Sequence, residues 1–340
     1  MNLDLPLDIP DVTTPPSVAK VTTLTVENLR RSSLISQGFN DKVVDIMLKA
    51  RREKSHKLYD CYLNKWTAYC DKLHCDPIFA DIKTVLDFLQ ELFNEGCRGA
   101  SAMGTARSAI SSVVILADGS TVGKNRFVSQ FMKGVSVMKP VQPRYLETWD
   151  PNVLLNMFQS DEWNPSVDLE LMSLTVKLAV LILLATYNRG QLILALKISR
   201  MSRVSDDEVR FKILPSELKQ GNRKNYKPEP VIFKRLADSP KICILSLLDI
   251  YLSRTCEVRN CDQLFLTTKK PHRAVSRDSV SHWVKSAMRH AGVNVDVFAP
   301  GSIRGASSTN AYLAGVPLDQ ILKKAGWSNE TTFVKWYKRI

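Results

Sequence analysis

Apolar residues recur at three- and four-residue steps along much of the first 140 positions, which is the period of an amphipathic helix. Between positions 35 and 74 they give two helical patterns, and the second pairs Leu58, Tyr62, Trp66 and Tyr69. Further helices are predicted over 81–93, 101–116 and 128–138. We expect the aromatic residues of this half to form a core rather than a chemical site.

Proline positions divide the chain. Four prolines fall within residues 1–25, which predicts a flexible tail. A stiff, basic segment bracketed by Pro140 and Pro143 then follows the last predicted helix of the first half. We therefore predict a helical domain over 26–138, a linker over 139–148 and a second domain over 149–340.

The second half changes its pattern twice. Residues 169–187 are apolar on nearly every helical face, which predicts a buried helix, and Arg189 follows its end. From Glu208 the residues alternate between apolar and polar, and with 231–233 they predict a small antiparallel sheet. Helices over 242–254 and 276–290, with Ser276 as N-cap, flank a predicted strand at 263–266. The predicted fold class is mainly α, with an α+β second domain.

The last forty residues contain three short helices with clear boundaries. Arg304 lies in the first, which stops at Gly315, and a second runs from Pro317 to Gly326. Trp327 follows that stop, and Tyr337 closes the third. Arginine, tryptophan and tyrosine thus lie at or near successive helix ends.

Composition narrows the class of protein. With 340 residues, 44% hydrophobic, the chain is long enough for two domains with sizeable cores. A net charge of +13 favours a polyanionic partner, although surplus surface lysine explains many basic proteins. The apolar run 178–185 is too short to span a membrane, and the acidic N-terminus lacks the pattern of a signal peptide, so we expect an intracellular protein.

Seven cysteines, an odd number, fit a reducing compartment better than a disulfide framework. A zinc site at Cys70, His74 and Cys75 lacks a second half of standard spacing. We predict no metal and no cofactor.

The C-terminal forty residues resemble the catalytic domain of tyrosine recombinases (the phage integrase family), and most of all those of DIRS-type retrotransposons, through AGWS followed by TF, Lys and Tyr. The segment from about 38 to 145 is similar to their core-binding domain, through KLY, DFLQELF and RSAIS. By this resemblance Arg189, Arg304, Trp327 and Tyr337 are catalytic, with Tyr337 as the nucleophile. Lys219, in an LKQ context, matches the general acid on the hairpin.

The chain departs from the family pattern at three places. Gly301 stands where the first histidine of HxxR is expected, and Leu192 where an acidic residue often follows the first arginine. The step from Trp327 to Tyr337 is one residue longer than the commonest spacing. The missing histidine removes the usual base and one phosphate donor, and His282 is a candidate substitute.

The residue types suit attack on a phosphodiester. Two guanidinium groups pair with phosphate oxygens, where negative charge accumulates in the transition state. A lysine can protonate the leaving oxygen, while tyrosine, with a free pKa of about 10, needs nearby cations to react.

The resemblance implies a C-shaped clamp around double-stranded DNA, a homotetramer in the synapse, a monomer or dimer when free, and nuclear localisation in a eukaryotic host. The basic residues assigned to DNA contact are Lys49, Arg51, Arg52, Lys54, Lys57, Arg107, Lys124, Arg126 and Arg223. Two alternatives stay open: a catalytically degenerate DNA-binding protein, which Gly301 favours, and a helical interaction protein whose charge is incidental.

Overall fold

The computed structural model describes residues 25–50, 53–96, 99–218 and 226–339. It divides into two compact units, one reaching Gln142 and one starting at Pro143. The predicted tail lies almost entirely outside the described residues. Among the described helices none is both long and apolar enough to cross a membrane.

The first unit is helical, as the apolar period predicts. Side-chain caps begin several helices; Asp81 Oδ1, for example, accepts a 2.7 Å hydrogen bond from the Thr84 N–H. The helices are α1 (Val26–Ile35), α2 (Asp41–Leu48), α3 (Glu53–Leu73), α4 (Ile82–Asn94), α5 (Gly99–Ile110) and α6 (Arg126–Met138).

Aromatic side chains fill the core of this unit. Trp66 is fully buried, its indole N–H donates to the Pro77 carbonyl at 2.9 Å, and its ring lies 5.1 Å from that of Phe88. Tyr62 and Tyr69 pack at the edge of this cluster. Leu58, which belongs to the same helical pattern, is 53% exposed.

Helix α5 is shorter than its apolar pattern suggests. It ends at Ile110 rather than near Leu116, and the Ser112 hydroxyl donates to the Ala109 carbonyl in the turn that follows. Ile115 then forms an isolated bridge with Thr121. Extended residues with buried apolar side chains continued the helical pattern by coincidence.

The second unit is built around α8 (Leu171–Thr186), whose residues from Leu174 to Leu184 are all buried. Each buried Leu or Ile contributes about 1.5–3 kcal/mol, so this helix anchors the unit. Its other helices are α7 (Asn152–Gln159), α9 (Gln191–Ala195), α10 (Ile244–Thr255), α11 (Arg277–His290), α12 (Ile303–Leu313), α13 (Leu318–Ala325) and α14 (Glu330–Trp336).

A three-stranded antiparallel sheet has the order β1 (Met201–Ser205), β2 (Glu208–Phe211), β3 (Val231–Lys234). The predicted alternation is confirmed, since Val209 and Phe211 are buried and Val209 pairs with the buried Phe233. Strand β1 carries no such pattern because it is largely exposed. The predicted strand at 263–266 was wrong; Gln263 and Leu266 make only isolated bridges.

Candidate active site

Four of the five predicted catalytic residues lie in the described part of the second unit. Arg189 is in the turn between α8 and α9, Arg304 is the second residue of α12, Trp327 follows α13, and Tyr337 directly follows α14. Lys219 and Arg223 lie outside the described residues.

The end of α8 explains how Arg189 leaves the core. Tyr187 caps the helix in the left-handed conformation, with φ of 54°, and turns the chain sharply. The Asn188 side-chain amide then donates to the Thr186 carbonyl and to the Lys324 carbonyl, both at 3.1 Å. These bonds fix the turn that presents Arg189 against the end of α13.

Arg189 reaches Tyr337 directly. Its Nη2 atom donates a hydrogen bond of 3.2 Å to the Tyr337 hydroxyl oxygen. The two residues are 148 positions apart in the chain. The guanidinium thus places a fixed positive charge at the oxygen through which a tyrosine acts as a nucleophile.

Arg304 lies beneath the tyrosine. It is 1% exposed, and its Nη2 donates to the Ala325 carbonyl at 2.9 Å, near the end of α13. The guanidinium carbon is 4.4 Å from the centre of the Trp327 ring and 5.4 Å from that of Tyr337. Burial against two aromatic faces holds the cation in a fixed position with little water around it.

Trp327 completes the stack. Its ring centre is 4.6 Å from that of Tyr337 and 5.5 Å from that of Phe333, which is fully buried. The indole nitrogen of Trp327 is buried and has no hydrogen-bond acceptor within the described residues. This N–H is a hydrogen-bond donor that the described residues leave without a partner beside the tyrosine.

The backbone of Tyr337 is held as well. Its N–H donates to the Phe333 carbonyl at 2.8 Å, which closes α14. Its carbonyl accepts a 2.8 Å hydrogen bond from the hydroxyl of the buried Thr309 on α12. Tyr337 is thus bound to the helix that carries Arg304 through its main chain and to Arg189 through its side chain.

A pocket of about 260 Å³ opens beside these groups. Its polar lining comprises Asn188, Arg189, Arg277, Ser281, Arg304 and Tyr337. A second pocket, about 300 Å³, shares Gly301 and Tyr337 with it. A Cβ atom built on Gly301 would meet nothing within 4 Å, so a larger side chain has room there. A larger apolar groove of about 570 Å³, between β3 and α13, includes neither Tyr337 nor its arginines.

The first residues of this unit support the pocket from the other side. The Trp149 indole N–H donates to Ser302 Oγ at 2.9 Å, and the Tyr145 hydroxyl accepts from the Ala299 N–H at 2.9 Å. Arg339 Nε donates to the Tyr145 carbonyl at 2.9 Å. The turn bearing Gly301 is therefore fixed at both ends.

Glu217 connects the segment just before Lys219 to neighbouring parts of the unit through ion pairs and a hydrogen bond. Its carboxylate pairs with Arg200 at 2.6 Å and Lys197 at 3.2 Å, and its carbonyl accepts from the Gln191 amide at 2.6 Å. Burial alone would raise the pKa of Glu217, but the hydrogen bonds led by that from Arg200 outweigh it and lower the pKa. The base of the hairpin is thus tied to α9, directly after Arg189.

His282 does not take the place of the missing histidine. It is exposed and lines a separate depression with Met172 and Trp283. Arg277 and Ser281, one turn apart, lie on the face of α11 that lines the tyrosine pocket. One helical step of about 100° separates Ser281 from His282, which is enough to turn the histidine away.

The predicted DNA contacts of the first unit fall on several elements. Lys49 caps α2, Lys57 is on α3, Arg107 is half-buried on α5, and Lys124 and Arg126 lie at the start of α6. Arg51 and Arg52 lie outside the described residues, and for Lys54 only the backbone is described.

Several residues of the site belong to no recognisable sequence motif. Arg277, Thr309 and Trp149 lie on helices or turns whose packing decides their role. The Ser276 N-cap placed Arg277 at a helix start, but only the packing of α11 beside the turn before α12 brings it to the pocket.

Comparison with models of known protein families finds no match, and neither does comparison with curated proteins. Solved structures do match. The XerH site-specific recombinase bound to palindromic difH substrate, a post-cleavage complex, is 15% identical with a TM-score of 0.56, covering 92% of this chain and 91% of that chain. The Tn1549 transposon integrase in complex with transposon right end DNA is 13% identical with a TM-score of 0.54, covering 93% and 95%. The chain therefore shares the fold of these tyrosine recombinases and integrases.

Proposed function

We propose that this chain is a DNA strand transferase of the tyrosine recombinase type, which cuts and rejoins double-stranded DNA through a 3′-phosphotyrosine. The observation that carries the proposal is the 3.2 Å hydrogen bond from Arg189 to the Tyr337 hydroxyl, above the buried Arg304 and Trp327. A tyrosine that contacts one arginine and stacks over another is suited to attack an anionic phosphate.

Each residue then has a defined task. Tyr337 Oη forms a bond to phosphorus as the bond from phosphorus to the 5′ oxygen breaks. The tyrosyl proton leaves to solvent, and Lys219 donates a proton to the 5′ oxygen. Arg189 and Arg304 offset the charge on the non-bridging oxygens, while the Trp327 indole N–H donates one further hydrogen bond. Because the new ester conserves the bond energy, a 5′ hydroxyl can reverse the step without a nucleotide.

The second half of the proposal concerns the DNA. The surplus of +13 and the basic residues of the first unit support contact with the phosphate backbone, in the manner of a core-binding domain over 26–138. The resemblance to DIRS-type recombinases supports integration of a mobile element's circular DNA, a tetrameric synapse and a nuclear site of action in a eukaryotic host.

The test is detection of a covalent adduct. The protein is incubated with a pool of nicked genomic duplexes in chelator and run on a denaturing gel, with Tyr337→Phe in parallel. We expect an adduct that survives detergent in wild type and is absent in Tyr337→Phe. An adduct that forms equally in both proteins, or none in either, contradicts the proposal; the trapped DNA, once sequenced, supplies the target.

One observation favours a second candidate, a recombinase-derived protein that binds DNA without cutting it. Gly301 lacks the side chain that would supply a base and a phosphate donor, and the space around it is open. Tight, salt-sensitive DNA binding without any adduct identifies this candidate, because counterion release makes such binding fall steeply with salt.

A further inference from the structure

One cationic residue that lines the pocket beside Tyr337 has no role in the proposed reaction. Arg277 lines it together with Arg189 and Arg304. It is the first residue of α11, following the N-cap Ser276. Three guanidinium-bearing residues therefore surround a space of about 260 Å³.

The side chain of Arg277 is exposed, so its charge is accessible to an anion in the pocket. Within the described residues this side chain has no hydrogen bond or ion pair to a carboxylate, whereas Arg200 and Arg235 of the same unit both do. A cation in the first turn of a helix is disfavoured, since the helix dipole is positive there. Asp278 offsets part of this cost but does not line the pocket.

Gly301 supplies the complementary observation. It lines the same pocket and contributes no side chain, and a Cβ atom built on it would have open space around it. The pocket thus lacks a donor at Gly301 and has an additional donor at Arg277.

We propose that Arg277 is a third arginine contacting the scissile phosphate, in place of the donor that Gly301 cannot supply. Ser281, one turn further on the same face, lines the pocket beside it and adds a hydroxyl. This inference rests on the proposed function. Arg277 neither gains nor loses a proton in the reaction; it neutralises a non-bridging oxygen as the bond from Tyr337 to phosphorus forms and the bond to the 5′ oxygen breaks.

The test compares two forms of one nicked substrate, built on the DNA sequence that wild type traps. One has an ordinary phosphodiester at the scissile position, and the other a methylphosphonate, in which a neutral methyl group replaces one charged oxygen. Single-turnover adduct formation at saturating protein is measured for wild type, Arg277→Ala and Arg277→Lys. Arg289→Ala, an exposed arginine near the far end of α11 that does not line the pocket, is the matched control.

Removing one transition-state donor costs about 100- to 1,000-fold in rate. We expect Arg277→Ala to lose about 100-fold on the phosphodiester and less than about fivefold on the methylphosphonate, with DNA affinity within about threefold of wild type. Arg277→Lys should be intermediate, and Arg289→Ala should match wild type on both.

Two results overturn the inference alone: wild-type rates for Arg277→Ala on the phosphodiester, or an equal loss on both substrates, which indicates DNA positioning. If wild type itself gives no Tyr337-dependent adduct, the proposed function fails instead, and the inference with it.

Discussion

The Thr309 hydroxyl donates a 2.8 Å hydrogen bond to the carbonyl of Tyr337, and this bond joins the helix that carries Arg304 to the main chain of the candidate nucleophile. Thr309 is 1% exposed and Tyr337 is half-buried, so the donor of this bond is shielded from water. The position of the tyrosine hydroxyl relative to Arg304 depends on it.

We therefore predict that Thr309→Val slows adduct formation by about tenfold and lowers the free energy of unfolding by about 0.5–1.5 kcal/mol, because the Tyr337 carbonyl loses its donor while the shape is kept. Thr309→Ser retains the hydroxyl and should preserve most of the rate. Denaturant unfolding and single-turnover adduct assays measure the two effects. Unchanged rates in Thr309→Val would show that the tyrosine is positioned by its side-chain contacts alone.

Gly301→His should be tolerated, because its Cβ atom meets nothing within 4 Å. We expect the unfolding free energy to stay within about 1 kcal/mol of wild type, as for most substitutions that create no clash. The added imidazole supplies a donor or base at the pocket, so adduct formation should rise by about tenfold. Gly301→Ala controls for the loss of glycine. A well-folded histidine variant that is slower than wild type would contradict this prediction.

The proposed role of Lys219 as general acid is tested by changing the leaving group of the DNA substrate. We expect Lys219→Ala to slow cleavage of ordinary DNA by about 100- to 10,000-fold, the usual contribution of a general acid. A substrate with sulfur in place of the bridging 5′ oxygen should restore the rate, because a thiol with a pKa of about 8.5 leaves without protonation. Lys227→Ala, on the same connection between β2 and β3, is the matched control. Equal losses on both substrates would assign Lys219 to DNA contact.

Lys177 gives a prediction about stability. It is fully buried in α8, and its ammonium donates to the Trp163 carbonyl, Asn164 Oδ1 and Ser166 Oγ at 2.8–3.0 Å. Burial, with a smaller contribution from Lys241, lowers the pKa of Lys177 from 10.5 to about 8. Between these values the unfolded chain binds more protons than the folded chain, so this group makes stability rise with pH.

The Lys177→Met substitution should remove this increase of stability with pH. We expect the difference in unfolding free energy between wild type and variant to change by up to about 1.4 kcal/mol per pH unit between pH 8 and 10.5, in favour of wild type. Chemical denaturation at several pH values measures it, and the comparison cancels every other titrating group. Parallel curves for the two proteins would show that the ammonium stays charged throughout.

Local signals in the sequence predicted most helices. The Ser276 cap predicted the start of α11, and the glycine and proline stops separated α12, α13 and α14. The alternation of apolar and polar residues predicted β2 and β3, because each of these strands buries one face. It did not predict β1, because that strand is largely exposed. The apolar pattern does not explain the buried Lys177. Three neutral acceptors from the loop before α8 allow its charge to lie inside this apolar helix.

The candidate site was predictable only where residues carry a motif. Arg189, Arg304, Trp327 and Tyr337 follow from the resemblance, and the structure brings them together. Arg277 and Thr309 depend on how α11 and α12 pack, which no local pattern encodes. His282 lies on the same helix as Arg277 and was predicted as a substitute for the missing histidine because of its imidazole. Its face of the helix lines a different depression.

The hydrogen bond from Arg339 to the Tyr145 carbonyl brings the start of the second unit beside the residues that follow Tyr337. The chain thus begins this unit and passes Tyr337, its candidate nucleophile, at one shared location. Tyr145 lies two residues after Pro143, where the unit starts, so one main-chain acceptor holds the segment that follows Tyr337 against the first residues of the unit.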